Sequence, residues 1–208
     1  MFTIIAAISL VAYGSSCQPP SLSVQISANS TKPDISEQFS RGELNKMAEE
    51  SRQPRKHPVL GFFVGTLRYL AEISIENSEG QNFSCPGKLQ LRLGMEFREH
   101  IGLAKDIFNG ACREAALAHY RRHAEAEEAE FTQFAHEVKG AIEREYVKSP
   151  LSPAEMPPEQ YRTMVLDYTR SLLNRDLARF DARRQAKRGA IDSQGAARAL
   201  EAACPSST

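Results

Sequence analysis

The 208-residue chain has no excess charge, few aromatic residues and no closely spaced pair of cysteines, and each absence removes a class of function. Its 26 Lys and Arg balance 26 Asp and Glu, so no overall field draws the protein to nucleic acid or to an acidic membrane surface, and any partner is an unidentified protein or peptide chosen locally. Aromatics make up 8% and hydrophobic residues 41% of the chain, enough for one core in a domain of ordinary size. Cys17, Cys85, Cys112 and Cys204 are widely spaced, with no C-x-x-C among them. This excludes a thiolate zinc knuckle and a thioredoxin-type pair and favours disulfides. Internal repeats and low-complexity domains are lacking too.

The apolar run from Ile4 to Ala12 is too short to span a bilayer. With the small residues after it, it reads as the h-region and cleavage region of a secretory signal, although no Lys or Arg precedes it. Ala12 and Gly14 suit cleavage after Gly14, and residues 1–16 are assigned to the signal. Gly14 replaces the aliphatic residue expected three before a lipidated cysteine, so a lipid on Cys17, which alone would tie the protein to a membrane, is the lesser reading. The expected location is secreted or periplasmic, where disulfides persist.

Two further segments follow the signal. Residues 17–57 hold a strand, in which Leu22, Val24 and Ile26 alternate with polar residues, and a short helix started by the capping box of Ser40 and Glu43, then a linker, "RQPRKHP". Residues 58–204 read as one α+β domain. There, Leu67, Tyr69, Ala71, Ile73 and Ile75 share one face of a strand, and Leu89, Leu91, Leu93, Met95 and Phe97 share one face of the next. Charged residues on the opposite faces predict a small antiparallel sheet with one face wet.

A long helix is expected to cover the dry face, capped by Asn109 and running to about Lys148. Leu117, Tyr120, Ala124, Phe131, Phe134, Val138, Ile142 and Tyr146 form its apolar stripe, with His119 and His123 on the flank. A second long helix is predicted from about Pro158 to Arg188, ended by Gly189 and burying Tyr161, Val165, Tyr168, Leu172, Leu177 and Phe180. Asp192 is expected to cap a short last helix reaching Cys204.

Histidines at i and i+4 on a helix present nitrogens to one ion, as in H-E-x-x-H, where the glutamate activates the metal-bound water. Here the stretch is "HYRRH". From Pro58 to Cys204 the chain resembles an uncharacterised family of bacterial predicted secreted zinc-dependent proteases. The resemblance is carried by "PVLGFFVGTLRY", "CPGKLQLRLG", "EHIGLAKDI", the "NGAC" entry to the histidine helix and the closing "AIDSQGAARALEAAC". It implies a zincin-like domain, a third strand over "EHIGLAKDI", and zinc held by His119 and His123. The chain departs from that pattern where Tyr120 takes the place of the glutamate and where Pro86 and Gly87 follow Cys85.

A phenol with a pKa near 10 is a poor general base at neutral pH, so the expected function is that of a degenerate zinc metallopeptidase acting as a binding or accessory module. An active hydrolase with a non-standard base is the alternative. A zinc site needs a third ligand. His57, Glu99, His100 and Glu127 are the candidates, although a row at i, i+4 and i+8 is too long for one ion to share. Four cysteines allow three pairings. The expected topology favours Cys85 with Cys112, pinning the helix start to the sheet, and Cys17 with Cys204 between the chain ends.

Overall fold

The computed structural model describes residues 18–50, 59–77, 86–150 and 157–204. Its elements are β1 (Ser21–Ser30), β2 (Asp34–Ser36), α1 (Arg41–Glu50), β3 (Gly61–Asn77), β4 (Pro86–Leu103), α2 (Gly110–Lys148), α3 (Pro158–Ile191) and α4 (Gln194–Ala203). The fold is α+β, as the patterning predicts. Among the described residues no helix is long and apolar enough to cross a membrane.

β4 is the centre of the sheet. Leu89, Leu91, Leu93, Met95 and Phe97 alternate as buried residues along it, and the alternation continues through Glu99, Ile101 and Leu103. "EHIGL" is therefore the far end of β4 and not the start of a third strand. β3 pairs antiparallel along the length of β4, as the two amphipathic runs require, with Leu67 opposite Phe97 and Ile73 opposite Leu91. β1 and β2 lie against β4 in parallel, with Val24 opposite Leu91 and Ile35 opposite Ile101. The sheet is thus mixed and not antiparallel throughout. Alternation fixes which face of a strand is buried but carries no information on the direction of its neighbour.

α1 begins at the expected capping box: the Glu43 amide donates to Ser40 Oγ at 3.2 Å, and the Ser40 amide donates to the Glu43 carboxylate at 2.7 Å. α2 begins where Asn109 accepts from the amides of Ala111 at 2.9 Å and Cys112 at 3.3 Å. Phe131, Phe134, Val138, Ile142 and Tyr146 of α2 pack on the dry face of the sheet together with Tyr161, Val165, Leu172, Leu173 and Phe180 of α3. Phe97 stacks on Phe131 with ring centres 5.2 Å apart, and Phe134 on Phe180 at 4.9 Å. Tyr168 and Leu177 flank this core, partly buried.

Toward the start of α2 the buried face changes character. Leu117 and Tyr120 belong to a smaller cluster with Ile101, Leu103 and Ala116, and the buried line passes through His119, His123, Glu127 and Glu130. The histidines stand on an inner face, not a flank. Gly189 does not end α3, which continues to Ile191, and Asp192 closes α3 instead of opening α4, whose first cap is Ser193. A glycine with helical neighbours on both sides lowers helix stability without forcing a stop.

Cys112 and Cys204 are joined by a disulfide. This overturns both expected pairings, Cys85 with Cys112 and Cys17 with Cys204; Cys17, Cys85 and His57 lie outside the described residues. α4 folds back beside the first turns of α2, so the C-terminal cysteine and not the strand-opening one reaches Cys112. The bridge closes a loop with a sequence separation of 92. Replacing Cys112 and Cys204 together by serine is expected to lower unfolding free energy by about 2–4 kcal/mol, measured by urea titration. An unchanged transition would show that this bridge does not constrain the chain.

Candidate functional site

Two matching rows of side chains build the site. On α2, His119, His123 and Glu127 recur at intervals of four, and all three are buried, at 6%, 5% and 1% exposure. On α3, Arg184, Arg188 and the closing residue Asp192 recur at the same interval. The helices run antiparallel, so the rows meet in opposite order. Asp192 faces the histidines, and the two arginines face Glu127.

The geometry at the first of these meetings is close. Asp192 Oδ1 lies 3.1 Å from His119 Nε2 and 2.9 Å from His123 Nε2, and the two Nε2 atoms are 3.3 Å apart. All three candidate ligand atoms lie within 4.8 Å of one another, so the group can hold a metal ion. Burial pushes the Asp192 carboxyl upward, but hydrogen bonds and charge from both imidazoles outweigh it and hold the group well below the usual carboxylate range. The Asp192 side chain remains 57% exposed while the histidine rings are enclosed, which leaves the site one open side.

The donor set fits a transition metal. Two imidazoles and one carboxylate suit zinc or ferrous iron, whereas calcium and magnesium take oxygen ligands. Ligand atoms held tetrahedrally at 2.0–2.1 Å from one zinc lie about 3.3 Å apart, and octahedral neighbours at the same radius about 2.9–3.0 Å. The observed spacings of 2.9 to 3.3 Å fall in that span.

The surroundings fix the rings. Phe63 of β3 stacks on His123 with centres 6.1 Å apart and planes 16° from parallel, and the Arg188 guanidinium lies 5.9 Å from the Phe63 ring centre. Arg122 Nη2 is 3.4 Å from His119 Nδ1. Tyr120, in the position between the ligands, donates its phenol proton to the Gly61 carbonyl at 2.6 Å. That bond ties the start of β3 to α2, and the hydroxyl is directed to the backbone of the strand.

Of the four candidates for a third ligand, Glu99, His100 and Glu127 are described, and each is placed otherwise. Glu127 is clamped by Arg184, whose Nε and Nη2 reach its Oε2 at 2.9 and 2.5 Å, and by Arg188 on its other oxygen. His100 bonds Ser36 at 3.0 Å and Asp34 at 3.2 Å on the wet side of the sheet. Glu99 is buried at 4% exposure on the dry side, with Oε1 lacking a hydrogen-bond partner among the described residues. His57 lies outside the described residues. The third atom of the group that could hold an ion is Asp192 Oδ1, from a residue that the local sequence pattern assigns to a helix cap. The signal available for it was the row of Arg184, Arg188 and Asp192, complementary in charge to His119, His123 and Glu127. Comparison with known protein families, with curated proteins and with solved structures finds no match to this chain.

Glu99 gives this region a distinct pH signature. Burial first, and then the nearby negative charges of Glu128 and Glu127, push its carboxyl up to about 8 against the opposing effect of Arg184. An unfolded chain releases this proton near pH 4.5. Folded protein therefore binds more protons than unfolded between those values, and stability falls as pH rises through them. Glu99→Gln is expected to raise unfolding free energy at pH 9 by on the order of 2–4 kcal/mol and to change it little at pH 4. Paired urea titrations at the two pH values measure this, and an equal effect at both would assign the gain to packing instead.

Proposed function

We propose that this protein is a secreted or periplasmic zinc-binding module that keeps the metal ligands of a zinc peptidase without its hydrolytic activity. The observation that carries the reading is the convergence of His119 Nε2, His123 Nε2 and Asp192 Oδ1 on one point, with the histidine rings enclosed and the Asp192 side chain exposed. Three protein ligands with a free position are the ligand count of a catalytic zinc site, in contrast to the four of a closed structural one. Zinc bound there supplies a Lewis-acidic coordination position.

This chain's own residues enclose the rings, orient them and leave no proton acceptor at the place where the resembling family carries glutamate. Tyr120 stands there as a hydrogen-bond donor committed to Gly61. Glu127, the nearest carboxylate along the helix row, is neutralised by two guanidiniums. What remains is an exposed metal position able to accept a carboxylate, imidazole or thiolate from a protein or peptide partner. The resemblance from Pro58 to Cys204, the signal-like N-terminus and the Cys112–Cys204 disulfide, a bond of oxidising compartments, all support export.

The test begins with metal analysis of gently purified protein. One equivalent of zinc is expected, with binding weakened at least about 100-fold by His119→Ala or Asp192→Ala, and with no chelator-sensitive cleavage of unstructured polypeptides. Iron in place of zinc would move the assignment to a ferrous site. Absence of any metal would remove the reading altogether, and chelator-sensitive proteolysis lost in His119→Ala would establish an active hydrolase.

A further inference from the structure

Away from the metal ligands, β3 presents an edge built to pair with itself. β3 joins only β4, so among the described residues its second edge has no strand partner. The Ala104 amide donates to the Leu60 carbonyl at 2.9 Å, which sets the parity of the ladder: even-numbered residues of β3 turn their peptide groups toward β4 and odd-numbered ones turn theirs outward. Tyr120 and Arg184 hold the outward carbonyls of Gly61 and Gly65, at 2.6 and 2.9 Å. Beyond Gly65 the edge runs on from Thr66 through Glu76 before the register shift at its end. It carries no proline and no lysine, two common devices that keep such edges from pairing.

The side chains on that edge are unusual for water. Leu70 is 65% exposed and Tyr69 43%. Arg68 and Glu72 flank Leu70 symmetrically on the wet face, and across the ladder they oppose Glu96 and Arg92 of β4, while Leu70 opposes Gly94.

We propose that two copies of this chain associate through their β3 edges, antiparallel about a twofold axis at Leu70, to form one continuous sheet. In that register Leu70 meets Leu70 of the second copy and Arg68 meets Glu72 of the second copy, twice by symmetry. The even-numbered positions become the close, non-hydrogen-bonded pairs, where side chains interact most strongly, and the outward peptide groups of Leu67, Tyr69, Ala71 and Ile73 exchange the hydrogen bonds. Each row of charge across the four central strands then alternates: Glu96, Arg68, then Glu72 and Arg92 of the second copy. A shift by two residues would place Leu70 against a charged residue, so the sequence selects this register. The net charge of zero leaves no long-range repulsion between copies.

Sedimentation velocity on the mature protein tests this, over about 1 to 200 µM, the range suited to a small interface. Expected is a monomer–dimer equilibrium abolished over that range by Leu70→Lys, with unchanged circular dichroism because the side chain is exposed. Arg68→Glu and Glu72→Arg should each weaken dimerisation by about tenfold, and the double exchange should restore it to within about threefold. A monomer at every concentration would overturn the proposal. So would a dimer indifferent to Leu70→Lys, or single charge changes that the double exchange fails to rescue. A monomer that captures extended peptides along β3 would assign the edge to a different partner and would equally overturn it.

Discussion

The contact between α2 and α3 depends on how Glu127 is neutralised. A carboxylate at 1% exposure is strongly unfavourable unless its charge is matched and its oxygens are hydrogen-bonded. Arg184 and Arg188 supply both, and Arg184 also donates to the Gly65 carbonyl at 2.9 Å, so the clamp joins α2, α3 and β3 at one point. Glycine is required at 65 for this closeness: a Cβ there would meet the Phe97 ring at 2.7 Å and Arg184 Nη2 at 2.9 Å, as well as the Glu127 carboxylate itself. The Arg184 guanidinium lies 5.4 Å from the Phe97 ring centre and 5.1 Å from that of Phe180, so the same cation that neutralises Glu127 also rests on the apolar core. Sliding α3 by one turn along α2 would separate these charges inside a dry interface.

The register fixed by that clamp is what delivers Asp192 to the histidines. One turn after Arg188 the helix ends, and its C-capping residue Asp192 falls opposite His119 and His123. The segment that follows is held as well, because α4 is fastened by Cys204 to Cys112, two turns before His119. Asp192 is thus constrained on both sides, by ion pairs before it and by a covalent bond after it. Its carboxylate accepts from both imidazoles, and a single acceptor oxygen shared by two rings accounts for the 3.3 Å approach of their nitrogens.

Local features of the fold were legible in the sequence wherever one element's own pattern decided them. Alternation in β3 and β4, the Ser40–Glu43 box and the Asn109 cap all depend on residues within a few positions of each other. What could not be read is set between elements. The parallel seat of β1 on β4 and the Cys112–Cys204 bond each join elements far apart in the chain. The residues of the group that could hold a metal divide the same way. His119 and His123 announce themselves by spacing four apart, whereas Asp192 is 69 positions from His123 and reaches it only through helix packing. Judged alone, an Asp before a short helix reads as a cap, since that is the commonest local use of its side chain.

Tyr120 is informative for the same reason: its role depends on what faces it. The residue across from it is the backbone carbonyl of Gly61, an acceptor, and the phenol meets it as a donor at 2.6 Å. A glutamate side chain in that direction would bring carboxylate oxygen against carbonyl oxygen, two acceptors in repulsion, at the point where β3 is fastened to α2. Gly61 itself is packed against the tyrosine ring, whose Cε2 would lie 2.7 Å from any added Cβ, so ring and strand are fitted to each other in shape as well as in hydrogen bonding. The ring also sits at 5.2 Å from His119 and 6.3 Å from His123, within the wall that orients both. The backbone at Gly61 is therefore complementary to the Tyr120 phenol in both hydrogen bonding and shape.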